Sequence, residues 1–290
     1  MKKVITHNGS FHADDVFAVA TLELLFGDQI EVIRTRDLEV IKTGDIVVDV
    51  GGVFDSASLR FDHHQSGGAG ERENSIPFAS FGLVWKHYGE KLCGSADEAR
   101  HIDERLVQPV DAVDNGVELG TPTVQGVYPF SISMAISSFV PVWSETVSDD
   151  ERFVDAVSFA KQILERQIAI MKIAEKSAAS VKAIYESTED KRIIVLDDDY
   201  LWGEILAAFS EPLFAVYPSN DTWHVKAVRD DIRSFKVRKE FPAAWAGKRD
   251  TELATITSVS DALFCHNKLF LAVAKSKEGA IALAKLALAS

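Results

Sequence analysis

The stretch RFDHHQSGGAGER, Arg60 to Arg72, sets an aspartate beside two histidines at what reads as a strand end, then enters a glycine-rich loop. A packed core would want Val or Ile there, so Asp62, His63 and His64 call for a chemical reason. Similar groups recur along the chain. THNGSFHADD supplies His7, His12, Asp14 and Asp15, DIVVDVGG supplies Asp49, and VDAVDNG supplies Asp111 and Asp114. Imidazole and carboxylate without thiolate suit Mn²⁺, with Mg²⁺, Co²⁺, Fe²⁺ and Zn²⁺ also compatible. The set exceeds what one closed zinc site needs. Two ions ~3.5–4 Å apart, sharing a carboxylate, would use it and would lower the pKa of a shared water while stabilising charge on a phosphoryl oxygen. Each motif alone has a plainer explanation. Asp114-Asn115-Gly116 can be only a turn, and His12 with Asp15 can be only cap and dipole partners of a helix start. His87, His101 and His224 carry no such claim.

The elements around these residues place them at strand ends. KKVIT reads as a strand and Ala13–Phe26 as a helix closed by Gly27; QIEVIRTR, DIVVDV and SLRFDHH read as further strands. DIVVDV is apolar enough to be buried on both faces. Pro77 is expected to open the helix PFASFGLVWKHYG, and Ser95 with Glu98 forms a capping box for SADEARHIDERLVQPV. Strand and helix in alternation imply a mostly parallel sheet flanked by helices. In such a sheet ligands bind beyond the carboxyl ends of the strands.

A second capping box, Ser148 and Glu151, opens the longest helical pattern, with Phe153, Val157, Ala160, Leu164, Ile168 and Met171 at three- and four-residue spacing. RIIVL, LFAVYP, WHVKAVR and FLAVA then read as strands before a closing helix from Lys277. The expected fold class is α/β. Residues 1–147 form the catalytic domain, 148–189 a long connecting helix, and 190–290 a smaller C-terminal α+β domain that binds substrate. The long helix reads as an internal strut, with a homodimer seam left open.

With 290 residues, 47% hydrophobic and 26% charged, the chain has an ordinary globular composition. No apolar run reaches bilayer length, and neither a signal peptide nor a disulfide framework is legible, so no membrane partner is expected and the cytoplasm is the assigned location. A net charge of −13 argues against broad adhesion to nucleic acid. Yet from His224 to Arg249 eight basic residues face three acids, a local excess suited to phosphate. No stable protein partner is implied.

The order His7/His12/Asp14, Asp49, Asp62-His63-His64, Asp114 resembles the DHH phosphoesterase superfamily. More narrowly, THNGSFHADD, VVDVGG, DHHQ and FPAAWAGKRDTEL resemble the Myg family, named for a melanocyte proliferating gene and described both as metal-dependent protein hydrolases and as RNA exonucleases. That resemblance implies a DHH-type N-terminal sheet domain and two divalent cations, Mn²⁺ first and Mg²⁺ or Co²⁺ next. It puts His7, His12 and Asp49 around one ion and Asp14, Asp49, His63 and Asp114 around the other, with Asp111 in reserve. His64 would meet substrate phosphate or its leaving oxygen, and Asp62 would orient a histidine ring. His12 stands where most of the superfamily has Asp. In the C-terminal part, LFCHNKLFLAVAKS keeps His266 but lacks the glycine pair of the family pattern, which alters how closely backbone approaches an anion.

The leading expectation is therefore a two-metal phosphodiesterase of 3′–5′ exoribonuclease type acting on short RNA or related nucleotides. Arg233, Arg238, Arg249 and His266 would hold phosphates across a cleft between the lobes. A hydrolase of a small phosphoanhydride or phosphomonoester, a peptide hydrolase, and a non-catalytic metal- and nucleotide-binding protein are the alternatives.

Overall fold

Three successive residues of β1 (Lys2–Thr6), Val4, Ile5 and Thr6, are buried, which requires cover on both faces of the strand. The computed structural model describes residues 1–231 and 234–290 and divides into two compact units, Met1–Met171 and Lys172–Ser290. In the first, β1 leads into α1 (Ala13–Phe26), β2 (Ile30–Arg34), α2 (Leu38–Ile41), β3 (Ile46–Val48), β4 (Phe54–Asp55) and β5 (Arg60–Phe61). The sheet order is β2-β1-β3-β5-β4. β1 runs parallel to β2 and β3, and β3 to β5, while β4 is an antiparallel edge. Val4, Ile46 and Val48 point into the main core, and Ile5 and Val47 pack with Ile41 and Val50 on the other face. Alternate residues of a strand face opposite ways, so the fully apolar Ile46–Val48 run is explained by cover on both sides.

The helices α3 (Ser80–Cys93), α4 (Ala96–Ile102), α5 (Gln108–Asp114) and α6 (Ile132–Ser137) follow, with a π turn at Asp103–Val107 joining α4 to α5. Two boundaries differ from the sequence expectation. Pro77 does not open α3; it lies in an isolated bridge to Glu71, and the helix begins at Ser80, where Asp14 satisfies its first N–H groups. Gly89 lies inside the helix, which instead ends at Gly94 (φ 94°). A remote carboxylate thus sets the start of this helix, which local propensity could not show.

The long helix α7 (Asp149–Ser187) is opened by reciprocal Ser148–Glu151 hydrogen bonds. Phe153, Ala156, Val157, Ala160, Leu164 and Ile168 belong to the core of the first unit, whereas Val181 and Tyr185 belong to that of the second. The second unit adds β6 (Ile193–Val195), α8 (Gly203–Ala207), β7 (Phe214–Ser219), β8 (Thr222–Ala227), α9 (Asp250–Thr257), β9 (Ala262–Cys265), β10 (Leu271–Ala274) and α10 (Lys277–Ala289). Its sheet order is β6-β7-β8-β10-β9, with β6 parallel to β7 and the rest antiparallel. The chain is thus α/β, with a mostly parallel first sheet flanked by helices, a long helix, and a smaller mixed second unit. Among the described residues, no helix is long and apolar enough to cross a membrane.

Candidate metal centre

Three parallel strands end on the same side of the first sheet. The residues that follow them are His7 after β1, Asp49 after β3, and Asp62-His63-His64 after β5. The first turn of α1 brings Asp14 and Asp15, with His12 as its N-cap, and the last residue of α5 is Asp114. A cavity of about 520 Å³ is lined by His7, His12, Asp49, His63, His64 and Asp114, together with Arg36, Asn115, Ser133 and Ser137. Residues scattered over more than a third of the sequence therefore share one space.

Asp49 lies at the middle. Its Oδ2 is 3.3 Å from His7 Nε2, and its Oδ1 is 3.6 Å from His63 Nε2 and 3.4 Å from His64 Nδ1. Its backbone has φ 54°, and Gly51 and Gly52 follow at positive φ. A non-glycine residue in this region is uncommon, although Asp and Asn tolerate it better than most, and such strain is concentrated at functional sites. The turn lifts the carboxylate out of the sheet edge toward both histidines. Ser80 Oγ donates to Asp49 Oδ1 at 3.3 Å.

His63 Nε2 is 3.1 Å from Asp114 Oδ2 and 3.8 Å from Asp14 Oδ2. Asp14 is buried, and both its oxygens accept backbone N–H bonds, from Ser80 (2.9 Å) and Phe81 (2.6 Å). The positive end of α3 therefore supports this carboxylate. Asp111 is placed differently from Asp114. Its Oδ1 accepts from Gly82 N–H at 3.0 Å and its Oδ2 pairs with Arg72 at 2.7 Å, so it is committed to the α3 start. A Cβ built on Gly82 would overlap the Asp111 carboxylate. In a helix interior Gly→Ala ordinarily stabilises by ~1 kcal/mol. Here Gly82→Ala is expected to lower stability by roughly 1–3 kcal/mol through overpacking, read as a fall in denaturant midpoint; a rise would contradict the assigned contact.

Asp62 orients His64. Its Oδ1 accepts from His64 Nδ1 at 2.8 Å and from His64 N–H at 3.1 Å, and its Oδ2 accepts from Gly52 N–H. With Nδ1 so engaged, Nε2 of this mostly exposed ring is directed away from Asp62. Asp15 has a larger part than a helix cap. Its Oδ1 accepts from His12 N–H at 2.8 Å, as a cap does, but its buried Oδ2 is 3.3 Å from His7 Nε2 and has no hydrogen-bond partner. Ligand atoms of His7, His12 and Asp15 lie within 4.8 Å of one another, as do those of Asp49, His63 and His64, and those of Asp14, His63 and Asp114. The sequence signal for Asp15 was its adjacency to Asp14. Arg34 had no such signal; it donates to Gly9 O at 2.6 Å and pairs with Asp150, anchoring the loop between His7 and His12.

The ionisable groups of this cluster shift one another strongly. Burial, then the charges of Asp49 and Asp114, hold the Asp14 carboxyl well above the usual range, and burial pushes Asp15 up to about 7. Burial opposes charge on Asp49 and His63 too, but their mutual contacts win. Close contacts from His63 and His7 hold Asp49 below its ordinary value, while Asp114 and Asp49 push His63 up to about 11. His7 is raised in the same way by Asp49 and Asp15, against burial. Without metal, protons must neutralise these carboxylates. Asp15 Oδ2 and the buried His63 Nε2, which faces carboxylates without a well-formed hydrogen bond, fit a site that divalent cations could complete, and the clustered His and Asp groups could hold them.

The expected phosphate-binding residues lie in the second unit. Arg249 is exposed, its guanidinium 4.6 Å from the Phe264 ring. His266 Nδ1 accepts from Lys268 N–H at 3.0 Å. Leu269, in the turn after it, has φ 56°, a conformation that glycine adopts more readily. Arg233 lies outside the described residues. Arg238 has a structural task instead of the expected one. Its side chain is 9% exposed, pairs with Asp230, and donates to the carbonyls of Ala207, Phe209 and Pro212. That guanidinium clamps the segment after α8 and is not available to hold a phosphate.

Comparison with known proteins agrees with the motif reading. The family model MYG1_exonuc, described as an uncharacterised protein family (UPF0160), matches residues 3–288. A MYG1 protein of Dictyostelium discoideum is 31% identical over 97% of this chain and 94% of its own length. A MYG1 protein of Saccharomyces cerevisiae is 32% identical over 99% and 96%. The MYG1 exonuclease of Homo sapiens is 29% identical over 99% and 86%. The chain belongs to the MYG1_exonuc family.

Proposed function

We propose that this protein is a divalent-cation-dependent phosphodiesterase that removes nucleotides from short RNA, of 3′–5′ exoribonuclease type. The observation that supports the reading is the convergence of His7, Asp49, His63 and Asp114 on one cavity, with the buried Asp14 grouped with His63 and Asp114 beside it. The relatives named MYG1 exonuclease support the choice of a nuclease. His7, His12 and Asp49 would hold one ion and Asp14, Asp49, His63 and Asp114 the other, with Asp15 adding charge at the first. Bound there, two Mn²⁺ would activate water and stabilise the charge that develops on phosphoryl oxygens.

The remaining steps are those of the protein's own side chains. Asp62 fixes the His64 ring, so that Nε2 can deliver a proton to the departing oxygen. Arg36 supplies a cation in the cavity wall that a phosphate can meet bidentately. In the second unit, Arg249 and His266 are proposed phosphate contacts. The requirement for only a few cations fits a short substrate and a net charge of −13.

The test is cleavage of short RNA labelled at either end, with Mn²⁺ and with chelator, by wild type and His63→Ala. Mononucleotide release from the 3′ end that needs both the ion and His63 is the expected result. Cleavage indifferent to both, or activity confined to pyrophosphate or peptides, would overturn the reading.

A further inference from the structure

A second cavity with ligand-binding character lies wholly in the second unit, outside everything assigned above. It measures about 270 Å³ and is lined by Tyr200, Trp202, Tyr217, Lys226, Arg229 and Asp199. Its position follows from the topology. β6 and β7 are parallel, and Asp199–Gly203 form the connection that leaves the carboxyl end of β6. Ligands in sheets of this kind sit beyond such strand ends. Tyr217 opposes His224 across the β7–β8 ladder and Ala215 opposes Lys226, so Tyr217 and Lys226 project from the same face.

The chemistry of the walls is divided. Trp202 and Tyr217 are 5.6 Å apart between ring centroids, and Tyr200 completes an aromatic side. On the cationic side, Lys226 Nζ lies 5.9 Å from the Trp202 ring, and Arg229 has its guanidinium 5.0 Å from the Phe235 ring. Lys226 is half-buried, and among the described residues its ammonium has neither a hydrogen bond nor an ion pair. Burial first, then the neighbouring Arg229 charge, lower its pKa, with Asp199 opposing. An ammonium kept partly out of water beside a second cation is a site that an anion would relieve. The space is slightly below the ~300–1,000 Å³ typical of drug-sized ligands, enough for one planar ring with its phosphate.

We infer that this aromatic and cationic cavity of the second unit binds a nucleoside monophosphate, its ring against Tyr200 and Trp202 and its phosphate at Lys226 and Arg229. Stacking on aromatic faces tolerates any base, so the pocket selects for phosphate plus ring and not for sequence. No divalent cation takes part. The site therefore does not rest on the reading of the metal centre.

The test is calorimetric titration of the full-length chain with AMP in the presence of EDTA, alongside adenosine and inorganic phosphate. AMP is expected to bind at least ~10-fold tighter than either part, since each occupies one wall only. Lys226→Met, which keeps the side-chain length, is expected to weaken AMP ~10-fold or more while leaving thermal stability intact, and Tyr200→Ala to weaken it less. Asp49→Asn is expected to leave it unchanged. Equal binding of adenosine and AMP, undiminished binding by Lys226→Met, or loss of binding by Asp49→Asn would each overturn the assignment. RNA cleavage by Lys226→Met is a separate readout, so failure of this site and failure of the proposed nuclease activity are distinguishable.

Discussion

Asp49→Asn is expected to abolish cation-dependent RNA hydrolysis, lowering kcat by ~10³-fold or more, the loss that about 4 kcal/mol of transition-state stabilisation represents. Asparagine is the informative replacement for a backbone reason. Asp49 has φ 54°, a region that Asn tolerates and most other residues do not. The amide can keep the Ser80 hydrogen bond and the packing, while removing the one charge that faces both His7 and His63. Asp49→Ala would confound charge loss with backbone strain. Asp62→Asn is expected to act more weakly, by ~10–100-fold, because it disturbs the orientation of His64 and no group that faces both histidines. Retained activity in a folded Asp49→Asn protein, with circular dichroism unchanged, would remove this carboxylate from the chemistry.

The parts of the site that were legible in sequence are those fixed by strand ends. KKVIT, DIVVDV and SLRFDHH declare strands by their apolar β-branched runs, and a parallel sheet forces the residues after them to one edge. Strand order alone therefore groups His7, Asp49 and His63 at one edge. Roles that depend on long-range hydrogen bonds are not legible in that way. Asp111 and Asp114 are equivalent in sequence, three residues apart on one helix end, and only Gly82 and Arg72 separate them, by engaging Asp111. Asp15 reads as a capping partner of His12 because its Oδ1 is one; its second oxygen, without a hydrogen bond, faces a histidine eight positions away. Arg238 misled in the opposite sense. A basic block on paper suggests phosphate, but this guanidinium is held by three backbone carbonyls. Charge can be counted from sequence, whereas the burial that decides its use cannot.

The same buried charges are expected to make stability depend jointly on pH and on divalent cations. In the metal-free chain, Asp14 and Asp15 are held above the ordinary carboxylate range. Between about pH 4 and pH 7 the folded state then binds more protons than the unfolded chain, so stability falls as pH rises. For Asp15 alone, a change from 3.8 to about 7 corresponds to roughly 4 kcal/mol. His63, raised to about 11, acts in the same direction. Its contribution is complete below its unfolded value of 6.5 and is lost as pH climbs toward 11. Asp49 acts oppositely, its contribution being present above the usual carboxylate pKa and lost in acid. A divalent cation bound there would replace the protons, so its binding is expected to release them and to tighten as pH rises. The metal-free protein is expected to melt at a lower temperature at about pH 8 than at about pH 5.5. Saturating Mn²⁺ at ~100 times its Kd is expected to restore ~3 kcal/mol, or about 5–10 °C in Tm, at the higher pH and far less at the lower. Scanning calorimetry across that range, with EDTA or Mn²⁺ and with Asp49→Asn as control, reads this directly. A Tm indifferent to Mn²⁺ at about pH 8, or an equal gain in Asp49→Asn, would mean that these carboxylates are neutralised by something other than bound cations.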